Sequence, residues 1–103
     1  MMQLKQAVHW WNKQDLAAVA QLGDLIDGRN ARAGQSVEAM EAAMRELRRL
    51  RAPVLHCIGN HELYNFDRTD LMKTLGHEPY RSVLPAPGFR IIVLDSFHLS
   101  LLG

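Results

Sequence analysis

The chain has 103 residues, of which 48% are hydrophobic, and its 12 Lys and Arg against 11 Asp and Glu leave a formal charge of +1. That length holds one small domain with enough apolar material for a core. The near-neutral balance supplies no field to recruit nucleic acid or an anionic membrane, and the single cysteine, Cys57, excludes an internal disulfide framework.

Taken in chain order, residues Met2 to Lys13 carry Leu4, Ala7, Val8 and Trp11 at i, i+3, i+4, i+7 spacing, which predicts an amphipathic helix. Trp10 and Trp11 then fall on adjacent flanks and are expected to pack against a sheet. The run Leu16 to Leu22 reads as a strand because Asp15 and Gly23 bracket it and a polar turn follows. After Gly28 a polar loop from Arg29 to Gln35 leads to Ser36, an N-cap candidate for a helix over Val37 to Leu50. Val37, Met40, Ala43, Met44, Leu47 and Leu50 form its apolar stripe. Arg45, Arg48, Arg49 and Arg51, interleaved with Glu41 and Glu46, read as its solvated face.

Pro53 stops that helix, and Val54, Leu55, Cys57 and Ile58 build a strand apolar on both faces, the pattern of a buried parallel sheet. His56 within it is expected to be a satisfied core histidine. Asp67 and Gly76 bracket a short helix over Arg68 to Leu75. Two strands, Tyr80 to Leu84 and Arg90 to Leu94, follow, joined by a turn at Pro85-Ala86-Pro87-Gly88 that would cover or extend the sheet. Asp95 ends the second, where it either buttresses a site or caps a loop. No leader pattern opens the chain and no apolar run approaches the roughly 18 residues of a spanning helix, so a cytoplasmic protein without membrane partners is the expectation.

Two polar clusters stand where strands end: Gly23-Asp24-Leu25-Ile26-Asp27-Gly28 and Gly59-Asn60-His61-Glu62. Open α/β sheets gather ligands at the carboxyl ends of their strands. An ionised Asp24 can bridge two divalent cations about 3.5–4 Å apart, the spacing used to clamp a phosphate. Asn60 offers a neutral carbonyl oxygen, which ligates a hard cation without adding negative charge. Gly23 and Gly59 let the backbone turn and approach closely. His61, next to Asn60, can face a substrate and deliver a proton at neutral pH, with Asp27 as the carboxylate that orients it. Alone, the first cluster also fits an ordinary turn. Its weight comes from the second cluster after a second strand, with a helix between.

In these motifs, G-D-x-x-D and G-N-H-E, the chain resembles the calcineurin-like metallophosphoesterases. His61-Glu62-Leu63-Tyr64-Asn65-Phe66, the segment Phe89 to Asp95 and Leu99-Ser100-Leu101-Leu102-Gly103 narrow the likeness to the manganese-dependent ADP-ribose/CDP-alcohol diphosphatases along nearly the whole chain. The resemblance implies an α/β fold that is part of an αββα sandwich, a mixed sheet flanked by helices. It implies that Asp24 bridges two metals, Mn2+ above all with Mg2+, Fe or Zn as alternatives, that Asn60 ligates one, and that His61 with Asp27 protonates the leaving group. Glu62 is implied as support. Tyr64 and Asn65, with Phe66, either recognise a nucleotide or pack the loop.

The family's opening D-x-H strand and its later G-H and G-H-x-H motifs have no counterpart here, and His9, His56, His77 and His98 do not stand in such patterns. The expectation is a partial domain over residues 1–103, either an internal segment, a short product or a start placed too late, with the remainder of the domain missing. Two hard cations want roughly six ligands each. Asp24 and Asn60 alone cannot supply them, so weak metal binding and little turnover are expected of the chain by itself. Two functions follow: a metal-dependent hydrolase of pyrophosphate links in nucleotide diphosphate compounds such as ADP-ribose or CDP-alcohols, or an inactive segment with a structural or binding role.

Overall fold

The computed structural model describes residues 2–26 and 33–97, so Asp27, the expected partner of His61, lies outside the described residues. The elements run α1 (Met2–Trp11), β1 (Val19–Gln21), α2 (Ala33–Leu47), β2 (Val54–His56), α3 (Asn60–Leu63), α4 (Arg68–Leu75), β3 (Arg81–Ala86) and β4 (Phe89–Val93). β1 and β2 pair in parallel, with Val19 opposite Val54, Ala20 opposite Leu55 and Gln21 opposite His56. β3 and β4 form an antiparallel pair of their own with a register shift between Val83 and Ala86. Parallel and antiparallel pairings therefore both occur, in two separate two-stranded sheets.

The parallel pair is the part that matters for a site, because both of its strands run toward the glycine turns. A parallel connection needs a crossover, and α2 supplies it. Met40, Met44 and Leu47 from α2 meet Ile26, Leu71 and Leu75 in one buried cluster, with Ile58, Leu63 and Phe66 packed against it. Each such side chain stabilises the fold by about 1.5–3 kcal/mol on burial. Ile26 belongs to the first polar motif and Ile58, Leu63 and Phe66 flank the second, so the core itself holds the two motifs in place.

Several boundaries differ from the sequence reading for identifiable reasons. α2 begins at Ala33, three residues before the expected cap, and Ser36 sits buried inside it. Its hydroxyl donates to Asn65 Oδ1 at 2.9 Å, a tertiary bond that replaces the capping role. Val37 is 44% exposed, so the stripe of α2 starts at Met40. Trp10 is exposed on α1 and does not pack on a sheet, whereas Val8 is buried as the spacing requires. Pro85 and Ala86 extend β3, and the turn is confined to Pro87 and Gly88, the glycine at φ 84°. α4 matches its expected span, ending on Gly76 at φ 82°, although Asp67 makes no side-chain capping bond. Among the described residues no helix is long and apolar enough to cross a membrane.

Candidate functional site

β1 ends at Gln21, and the side chain of that residue starts the site. Gln21 Oε1 accepts from the Gly23 amide at 2.7 Å, while Gln21 Nε2 donates to the Cys57 carbonyl at 3.1 Å. The Gln21 carbonyl also accepts from the Cys57 amide at 2.9 Å. One carboxamide thus folds the first turn and ties it to the end of β2. Nothing in the sequence motifs flagged Gln21. The available signal was a polar residue closing an otherwise apolar strand.

Beyond that staple the chain makes two successive positive-φ residues, Gly23 at 93° and Asp24 at 53°. For an L residue this left-handed region is costly, and Asp is among the few types that visit it readily. The result is a close approach of two backbones. A Cβ on Gly23 would stand 2.7 Å from the Gly59 amide nitrogen and 2.9 Å from its Cα. A Cβ on Gly59 would collide with the carboxylate and amide of Asp24. The two glycines lie face to face because neither position has room for a side chain.

The Asp24 carboxylate crosses this contact: its Oδ1 accepts from the His61 amide at 3.1 Å. Asp24 therefore lies against Gly59 and His61, the residues on either side of Asn60. Asn60 starts α3, and its Nδ2 donates to the Tyr64 hydroxyl at 3.1 Å, which leaves the carbonyl oxygen of the amide as the end free of that contact. His61 is held through its ring. Its Nδ1 lies 3.2 Å from the Ile26 carbonyl, which can only accept, so Nδ1 is the donor and Nε2 is the nitrogen turned to other partners. Ile26 thereby does two things at once, anchoring its side chain in the core and orienting the imidazole through its backbone.

Glu62, expected as support, lies beneath the second turn. It is 1% exposed, and its Oε1 accepts from the Gly59 amide at 3.3 Å, the backward half of a capping box across α3. Its Oε2 has no partner among the described residues. Burial pushes its pKa above the ordinary carboxylate value, and the nearby Asp24 charge adds to that, against backbone amides of Leu25 and Gly59 that favour the ionised form. Asn65 has a different part: Nδ2 donates to the His61 carbonyl at 2.8 Å and Oδ1 receives the Ser36 hydroxyl, so its amide fastens α3 to α2. Tyr64 is 66% exposed, its ring centroid 6.1 Å from that of His61.

His56 and Asp95 stand apart from this cluster. His56 is buried with Gln21 Nε2 at 3.2 Å from its Nδ1, its backbone amide donating to His77 Nε2 at 3.0 Å and the His77 ring stacked at 5.5 Å. It is a satisfied core histidine, and burial, then the neighbouring His77, Arg81 and Arg48 charges, lowers its pKa to about 4. Asp95 is also buried, bonded to Arg68 Nε at 2.7 Å and to the Phe97 amide at 3.0 Å. It pins the end of β4 to the start of α4.

The donor set suits a hard divalent cation: a carboxylate with one oxygen on His61, an amide carbonyl oriented by Tyr64, and two turns too close for side chains. Among the described residues the donors are few. Among the described residues no three His, Cys, Asp or Glu side chains gather in a metal-binding group.

No protein-family model matches the chain. It is 36% identical, over 97% of its length, to the manganese-dependent ADP-ribose/CDP-alcohol diphosphatase of Danio rerio, and 36% identical over its full length to that of Homo sapiens. The Arabidopsis thaliana protein of the same name is also 36% identical, over 97% of the chain. In each case the chain spans about a third of the relative, 36%, 36% and 34%. A crystal structure of a dimetal phosphatase from Danio rerio superposes with a TM-score of 0.83 at 37% identity, covering 97% of this chain and 35% of that one.

Proposed function

We propose that this chain, a relative of the manganese-dependent ADP-ribose/CDP-alcohol diphosphatases with the fold of a dimetal-phosphatase segment, supplies one half of a dinuclear site that hydrolyses pyrophosphate links in nucleotide diphosphate compounds. The observation that carries the reading is the contact of Asp24 with the Gly59–His61 turn, which brings the two motifs against each other from opposite ends of α2. Asp24 and Asn60 would hold two divalent ions, Mn2+ by the names of the relatives. Those ions, when bound, would lower the pKa of a water and neutralise charge developing on the phosphate oxygens.

The chain's own residues do the rest. His61, with Nδ1 given to the Ile26 carbonyl, holds its transferable proton at Nε2 and passes it to the departing phosphate oxygen. Asp27 is in this reading the carboxylate whose charge favours the protonated ring. Glu62 keeps the Gly59 turn in shape, so that Asn60 and His61 leave α3 in fixed directions. The remaining ligands come from outside Asp24 and Asn60, so the 103-residue chain alone binds metal weakly and turns over little.

The experiment is hydrolysis of ADP-ribose and CDP-choline with added Mn2+ by the chain and by a protein extended to the length of the relatives. His61→Ala in the extended protein is expected to remove most activity with the circular dichroism spectrum unchanged. An unchanged rate on every substrate tried would remove His61 from the role of acid. Robust turnover by the unextended chain would contradict the incomplete-site reading.

A further inference from the structure

Immediately beside Asn60 lies a cleft of about 340 Å³ lined by Asn60, Leu63, Tyr64, Phe66, Asp67, Arg68 and Phe97. Its size falls within the roughly 300–1,000 Å³ of small-molecule sites. Three of its lining residues are aromatic, and one of them, Tyr64, is 66% exposed. Its hydroxyl accepts from the Asn60 amide, which keeps the ring beside Asn60, and its exposed face is open to stacking by a planar ligand.

The charge of the cleft decides which ligand. The Arg68 guanidinium gives Nε, and more weakly Nη2, to the buried Asp95 carboxylate, so its charge is already spent on an internal partner. Asp67 is exposed and, among the described residues, makes no side-chain capping bond. An ionised carboxylate only accepts, and it repels a phosphate. The cleft therefore suits a planar, uncharged group that carries N–H or O–H donors.

Resting on the phosphohydrolase reading, we propose that this cleft is the nucleoside subsite: the base stacks on Tyr64 between Phe66 and Phe97, and Asp67 accepts hydrogen bonds from the exocyclic amine or the ribose hydroxyls. A pyrophosphate gripped at Asn60 would then extend its nucleoside away from the metals into the adjoining aromatic walls. Adenine and cytosine both carry an exocyclic amine, so one acceptor serves both bases. Asn65, whose amide is engaged by Ser36 and His61, has no part in it.

Adenosine and cytidine, which carry no phosphate, test the subsite without metal. Titrating each into the chain while following backbone amide shifts is expected to move Tyr64, Phe66, Asp67 and Phe97 saturably, whereas inorganic phosphate leaves them in place. Tyr64→Phe keeps the ring and is expected to bind within about twofold of the parent, while Tyr64→Leu weakens binding at least tenfold and Asp67→Asn at least threefold. Equal binding by Tyr64→Leu, or shifts confined to other surfaces, would overturn the proposal. A parallel Mn2+ titration separates it from the reading beneath it. Mn2+ broadening at Asp24 without nucleoside binding sinks the subsite alone, and nucleoside binding with no broadening at Asp24 at any Mn2+ concentration keeps the cleft and sinks the metal reading.

Discussion

Gly59 has no room for a side chain because Asp24 fills the space where its Cβ would stand, touching it with both carboxylate and backbone. The two residues are 35 positions apart and belong to different motifs. Each motif needs the other's shape: Asp24 accepts a left-handed backbone to reach the contact, and Gly59 gives up a side chain to receive it.

Gly59→Ala is therefore expected to separate the two turns. Overpacking of a close contact costs about 1–3 kcal/mol, and here the obstructing atoms include backbone that cannot rotate away. Gly88→Ala is the control. Unlike Gly59, which is extended at φ −100°, it has a positive φ of 84°, and nothing lies within 4 Å of its Cβ, so it meets only the left-handed penalty of about 1–2 kcal/mol. Urea unfolding of the two variants checks the stability order, and amide shifts at Asp24 and His61 should move in Gly59→Ala alone.

Two buried titrating groups give opposite pH slopes. The Glu62 pKa lies above its ordinary value of 4.5, so the folded chain binds the proton more tightly than the unfolded one. Its contribution is complete below 4.5 and is lost as pH rises through the folded value. The His56 pKa falls from 6.5 to about 4, so its contribution is complete above 6.5 and is lost as pH falls toward 4. A shift of that size corresponds to at most about 3 kcal/mol. Stability measured against pH should flatten on the alkaline side of 4.5 in Glu62→Gln and between 4 and 6.5 in His56→Phe. An unchanged profile in either variant would refute the corresponding assignment.

Arg68→Met removes the guanidinium from a carboxylate whose side chain is fully buried. Breaking a buried pair on one side costs about 3–5 kcal/mol, and the 31% exposure of Arg68 brings the expectation to about 2–3 kcal/mol. Replacing both partners, as Arg68→Met with Asp95→Leu, should recover part of the loss. Urea midpoints of the single and double variants measure both. A single variant as stable as the parent would show that the Phe97 amide alone satisfies Asp95.

What the sequence revealed follows the range of the forces involved. α4 was legible because its signals, Asp67 before and Gly76 after, are local, and β2 because its apolar run is continuous. The two motifs were legible because glycine, carboxylate, carboxamide and imidazole residues gather at short fixed spacing where strands end. Ser36 misled because its hydroxyl is claimed by Asn65, 29 residues on, and no local pattern encodes that bond. Trp10 misled because helical spacing sets a direction around the axis, not the presence of a neighbour to meet it. Gln21 and the Ile26 carbonyl escaped notice for a related reason: one acts through an amide in a strand, the other through backbone, and neither leaves a motif. Asn65 clasps two helices through its amide, a role its place beside the second motif does not encode.

Asp24 and Asn60 are expected to share one cation site, and paramagnetic broadening by Mn2+ reads that directly even when binding is weak. Sub-stoichiometric Mn2+ should broaden the amides of Gly23, Asp24, Gly59, Asn60 and His61 together, and Asp24→Asn, which keeps an acceptor for the His61 amide and tolerates the left-handed backbone, should stay folded and lose the effect at least tenfold. Broadening that spreads over surface carboxylates such as Asp15, Glu38 and Glu78 while those five amides stay sharp would contradict it.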